Sequence, residues 1–113
     1  MRGAVTLSRP LVLEAPARVA DGAGGFAEVW EVRGTLWAEV EARTGRDGPG
    51  EGASVARAAY RITVRAAPQG APSRPVAGQR LRDGARVFAI LAVTESAAGP
   101  RYLTLWAEEE VVA

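Results

Sequence analysis

Glu39 and Glu41 are the pair of side chains in this chain most able to do chemistry by spacing alone. Two apart in an extended segment, they fall on one face roughly 7 Å from each other, near the span of a glycosidase carboxylate pair. They share that face with Arg33, Trp37 and Arg43. Cross-strand ion pairing with Arg57, Arg61 or Arg65 is the ordinary explanation for carboxylates so placed, and no enzyme is expected. Histidine, cysteine and lysine are absent. Their absence removes the commonest general base, the thiol nucleophile, nearly all zinc chemistry and the phosphate-binding lysine of a Walker loop. Ser8, Ser54, Ser73 and Ser96 have no histidine or lysine to activate them. Neither metal nor cofactor is expected.

All 14 basic residues are arginine. A genome rich in G and C explains this, as does a surface suited to phosphate and carboxylate partners through arginine's donor fork. A net charge of +1 argues against a strongly basic nucleic-acid binder, though local clusters could touch phosphates. Trp37 is the large aromatic on the polar side of its segment. It either begins a small second core under a loop or stands exposed, as the centre of a protein interface does.

The elements that position these residues read as strands. From Glu31 to Arg43 the even positions Val32, Gly34, Leu36, Ala38, Val40 and Ala42 are apolar or small and the odd ones mostly polar, a period of two. The pattern returns at Ala58, Tyr60, Ile62 and Val64, so two strands should pair and bury a common face. Between them Thr44 to Val55 holds four glycines, one proline and a single sizeable apolar residue. Residues 44–56 are expected to project as a loop, and a connection this long tends to be functional or disordered. The alanine-rich piece Ser54–Ala59 could make one short turn of helix.

Upstream, residues 1–10 read as a loose arm or edge strand limited by Pro10, and Leu11–Glu14 as a first strand ended by Pro16. Asp21–Gly25 is a turn cluster joining strands, with no helix after it to make a phosphate cradle. Downstream, 67–79 is expected as an extended, proline-punctuated connector on the surface. A hairpin should turn through Asp83-Gly84. The nearly continuous apolar run Val87–Val93 predicts a strand covered on both faces. Ser96–Pro100 is a turn, Tyr102–Ala107 the last strand, and Glu108–Glu110 an acidic edge that ends the ordered part. The core should draw on Leu11, Leu13, Phe26, Trp30, Leu36, Trp37, Val40, Tyr60, Ile62, Val64, Phe88, Ile90, Leu91, Val93, Tyr102, Leu103, Leu105 and Trp106. At 113 residues this is one domain, 1–113, all-β: a small antiparallel β-barrel of five or six strands with one long projecting loop. The run from Gly3 to Leu13 is too broken by polar residues for a signal peptide, and no apolar run reaches a membrane span, so no membrane partner is expected.

The order of residues also resembles a known family. Arg18-Val19-Ala20-Asp21, Gly24-Gly25, Trp30, Leu36-Trp37-Ala38, Tyr60-Arg61-Ile62-Thr63-Val64-Arg65, Arg80-Leu81 with Asp83-Gly84, Phe88-Ala89-Ile90 and Arg101-Tyr102-Leu103-Thr104-Leu105 are similar to the phage head-tail joining family. The likeness is to head closure, or stopper, proteins of phages with long non-contractile tails, and in composition to head-tail proteins of gene transfer agents. It covers about Arg18 to Glu108. The resemblance implies a small β-barrel whose copies form a homo-oligomeric ring, sixfold or twelvefold, in a virion or phage-like particle assembled in the bacterial cytoplasm. It implies a head-tail adaptor above, a tail terminator or tail tube below, and double-stranded DNA in a channel that the projecting loops line or close. On this chain the loop falls on residues 44–56, with few residues able to plug a channel rigidly. Under that reading Arg43, Arg46, Gly48, Gly50, Gly52 and Arg57 face the DNA, and Trp37, Arg74 and Pro75 face neighbouring subunits or the adaptor. Two other classes remain open on the residues alone: a monomeric barrel binding single-stranded nucleic acid, and an adaptor domain that binds protein only.

Overall fold

The computed structural model describes residues 4–43 and 55–112. Six antiparallel strands make up the fold: β1 (Arg9–Ala20), β2 (Phe26–Ala42), β3 (Val55–Arg65), β4 (Arg80–Asp83), β5 (Arg86–Ser96) and β6 (Gly99–Val112). They hydrogen-bond in the order β1-β2-β3-β6-β5-β4, and β4 pairs back onto β1 to close a barrel. Closure leaves the wall without a free edge where the strands overlap. No helix occurs among the described residues, and the piece expected to make a helical turn is strand from Val55 onward.

The expected central pair is present, with Ala38 opposite Val64 and Ala42 opposite Tyr60. Inside the barrel Leu11, Leu13, Ala38, Ile62, Val64, Leu81, Phe88, Ile90, Leu103, Leu105 and Ala107 form one cluster, with Leu36, Val40, Tyr60, Ala66 and Val93 packed against it. Burial of each large side chain there contributes about 1.5–3 kcal/mol. The Tyr60 ring meets Phe88 edge-on at 5.1 Å.

Three of the expected core residues, Phe26, Trp37 and Leu91, are exposed instead. Phe26 is exposed because β1 does not end at Pro16. It continues to Ala20, paired with β2 down to Phe26, so the two strands leave the barrel as a ribbon. Pro16 is tolerated because, beyond Glu14, β1 has a neighbour on one side only, and a missing N–H costs nothing at an outer edge. The ribbon begins at a bulge. The register steps from Leu13 opposite Gly34 to Glu14 opposite Val32, and Gly34 takes a φ of 146° that residues with a Cβ rarely adopt. The bulge reverses which alternate residues face inward, which is why Val32 is exposed despite its place in the apolar pattern.

Other differences have equally local causes. β5 is covered on one face only: Phe88 and Ile90 are buried while Leu91 is turned out at a second bulge. The β4–β5 turn residues are Gly84 and Ala85, one place later than expected, with positive φ at Gly84 alone, as a type II′ turn requires. β6 runs through Glu108–Glu110 because β3 continues beside it, with Arg57 opposite Glu110. The connector from 66 to 79 is a chain of turns rather than an extended segment. Ala71 N donates to Pro68 O and Arg74 N to Ala71 O, and Pro75 is fully buried.

The result is a barrel drawn out at both ends, 56 Å along its longest axis and 22 Å along its shortest. The β1–β2 ribbon leaves one end. At the other, β3 and β6 continue as a pair past the last β2–β3 contact, and residues 44–54 connect β2 to β3.

Candidate assembly surfaces

At the ribbon end, Asp21 shapes the tip. Its Oδ1 accepts from Ala23 N at 2.8 Å and Gly25 N at 3.0 Å, and these bonds hold its carboxyl below the usual range. A Cβ on Gly25 would lie 2.9 Å from Asp21 Oδ2, so glycine there makes room for the cap. The ribbon is tied to the barrel at its base by Glu14, only 4% exposed, which accepts from Arg80 Nε at 2.7 Å and Arg82 Nε at 2.9 Å. Burial pushes the Glu14 carboxyl up, but the two guanidinium hydrogen bonds and charges outweigh it and hold it below the usual range. The Arg80 guanidinium also lies 4.1 Å from the Trp30 ring centre, linking β4 to the ribbon.

Trp37 stands where β2 loses its β3 neighbour. It is 56% exposed and lines a shallow groove with Leu7, Thr35, Leu36 and Arg65. Of its two expected positions it takes the exposed one. Arg74 and Pro75, expected beside it at an interface, sit differently. Arg74 Nη1 donates to Ala67 O at 2.7 Å within the connector, and Pro75 is enclosed by its own chain.

At the loop end, Arg43 and Arg57 flank the connection, both with exposed surface. Arg43 lies over the Trp106 ring at 5.1 Å. Arg46, Gly48, Gly50 and Gly52 lie outside the described residues. Carboxylates accompany the arginines here. Glu41 pairs with Arg61 at 3.2 Å, which is the expected cross-strand ion pair, while Glu39 accepts from Thr6 N at 3.1 Å. Glu109 accepts from Arg86 Nε at 2.7 Å and Nη2 at 3.0 Å, and from Tyr60 Oη at 3.2 Å. The Arg86 hydrogen bonds lower the Glu109 carboxyl against the opposing effect of burial. Arg9 pairs with Asp83 at 2.6 Å.

Sequence reasoning missed the ribbon and both buried glutamates. Glu14 and Glu109 were legible only as polar residues at strand ends, because their arginine partners lie far along the chain. Among the described residues no cluster of histidine, cysteine, aspartate or glutamate has the makings of a metal site.

The described residues thus form a closed barrel drawn out at both ends, with no cluster that could hold a metal. The profile of the phage head completion proteins matches residues 3–110, and the chain belongs to that family, structural proteins of phage and phage-like particles. It is similar to a chain in the virion of a native gene transfer agent particle, with 49% identity over 99% of this chain and 100% of that one and a TM-score of 0.79. Protein SF1141 from Shigella flexneri 2a shares the fold at 23% identity and a TM-score of 0.64, covering 91% of this chain and 92% of that one. A comparison with curated proteins gave no match.

Proposed function

We propose that the chain is a ring subunit of the head-tail connector in a tailed phage or gene transfer agent particle. Copies join the adaptor under the portal to the tail terminator or tail tube, and residues 44–54 line the DNA channel. The observation that carries this reading is the polarity of the molecule in a head completion protein. One end bears a protruding ribbon with exposed apolar side chains, and the other bears a glycine-rich connection flanked by Arg43 and Arg57. The 49% identity to a chain of a gene transfer agent virion supports the same role. Arginine's donor fork suits phosphate contacts along a channel, and few contacts per copy suffice when a ring repeats them.

The alternative of a monomeric single-stranded nucleic-acid binder finds little support in the side chains. Such barrels stack bases on open aromatic faces. Here guanidinium groups already lie over Phe26, Trp30, Tyr102 and Trp106.

The deciding experiment is electron microscopy of particles from cells carrying the gene and from cells lacking it. Deletion is expected to give tailless heads that lose DNA, with free tails accumulating. Normal tailed particles after deletion would discard the connector role.

A further inference from the structure

We propose that the β1–β2 ribbon of one copy docks on the β5 wall of a second copy of this chain, over Leu91 and Val76. The inference rests on the ring reading and gives it a specific contact.

The ribbon past Glu14 reaches roughly 20 Å at the usual strand rise, comparable to the short dimension of the molecule. Exposed apolar side chains stand on both of its faces. The register places Val32 and Phe26, both 62% exposed, on one face, and Val19 and Val29 on the other. A ribbon lying on its own barrel would need one apolar face. Exposed apolar side chains on both faces fit a projection received by another molecule.

Its edges are unequal as well. The β1 edge is blunted by Pro16, whereas β2 from Phe26 to Trp37 contains no proline, and among the described residues it has no strand partner on its outer side. An open edge of that length is one that a protein usually covers with another surface.

The receiving surface is on the opposite wall. In the closed order β1-β2-β3-β6-β5-β4, β5 stands three places from β2 in either direction. There the second bulge turns Leu91 outward, 55% exposed. The connector is pinned beside it, Gly78 N donating to Ile90 O and Ile90 N to Gln79 O, each at 3.0 Å, and it presents the exposed Val76. Apart from Trp37, these two are the large apolar side chains exposed off the ribbon among the described residues. A contact between two different patches on opposite walls is heterologous. Repeated with a rotation that closes on itself it makes a ring, and without one an open filament, whereas a patch meeting its own copy stops at a dimer.

The chain has no cysteine, so introduced thiols report single positions. Particles would carry Leu91→Cys together with Val29→Cys or Val32→Cys, one on each ribbon face, and be treated with a short bismaleimide. At least one pair is expected to give a ladder beyond dimer on a denaturing gel, and the single variants none. Absence of a ladder from both pairs, or crosslinks running only to a different protein, would overturn the docking. Averaged images of untreated connectors separate the two failures: a ring without a ladder removes the ribbon contact alone, and a single copy per particle removes the ring reading too. Leu91→Asp supplies an independent readout. The purified variant should melt as the parent does yet enter particles at least tenfold less, and normal incorporation would sink the proposal.

Discussion

Glu14 is held between the guanidinium groups of Arg80 and Arg82 where the short β4 meets β1, and Glu109 accepts from Arg86 and from the Tyr60 hydroxyl. Removing the charge at Glu14 leaves Arg80 and Arg82 facing a neutral amide. Breaking a buried pair costs about 3–5 kcal/mol, but both arginines are partly solvated, so Glu14→Gln should destabilise by about 2 kcal/mol in urea unfolding. Acid should act through the same groups. Both carboxyls titrate lower in the folded chain than unfolded, where glutamate lies near about 4.3. Their contribution is complete above that value and is lost as pH falls through the lower folded values. The melting temperature should therefore fall steeply below about pH 4, and less steeply in Glu14→Gln, when followed by circular dichroism. An equal slope in both proteins would place the acid sensitivity elsewhere.

At the scale of the element, the ribbon depends on one backbone conformation. A Cβ at Gly34 would meet no atom within 4 Å, so Gly34→Ala tests the positive φ and nothing else. It should cost about 1–3 kcal/mol in thermal unfolding. A neutral result would mean that the bulge relaxes without loss. Trp37 belongs to the same element, where β2 passes from wall to ribbon. Being more than half exposed, it should tolerate Trp37→Ala with less than about 1 kcal/mol of change, while assembly into particles falls. Unfolding of the isolated chain and counting of tailed particles separate those effects.

For the whole molecule, the ends of β2 and β3 that residues 44–54 join lie away from the ribbon. If that connection lines a channel, Arg46→Glu reverses a charge once per subunit, and filled heads should retain less DNA while the isolated domain keeps its stability. Unchanged retention would remove the phosphate role of the connection. Ring contacts are individually weak and gain strength by repetition, so these variants belong in intact particles rather than in solution.

The sequence alone determined the all-β class, the pairing of β2 with β3 and the family. Strict alternation and glycine-rich punctuation are local signals, and strands with one apolar face must pair to bury it. Only the tertiary structure decided where the alternation points. Two bulges shifted the register, turned Leu91 outward and sent Val32 and Phe26 into a ribbon, though each reads as a core residue in its segment. Pro16 looked like a strand end because a missing donor breaks a ladder, and it is harmless here because its outer side has no strand to bond. The partners of Glu14 and Glu109 were equally hidden. Arg80 and Arg82 lie more than sixty residues from Glu14, and barrel closure by β4 on β1 is what brings them together.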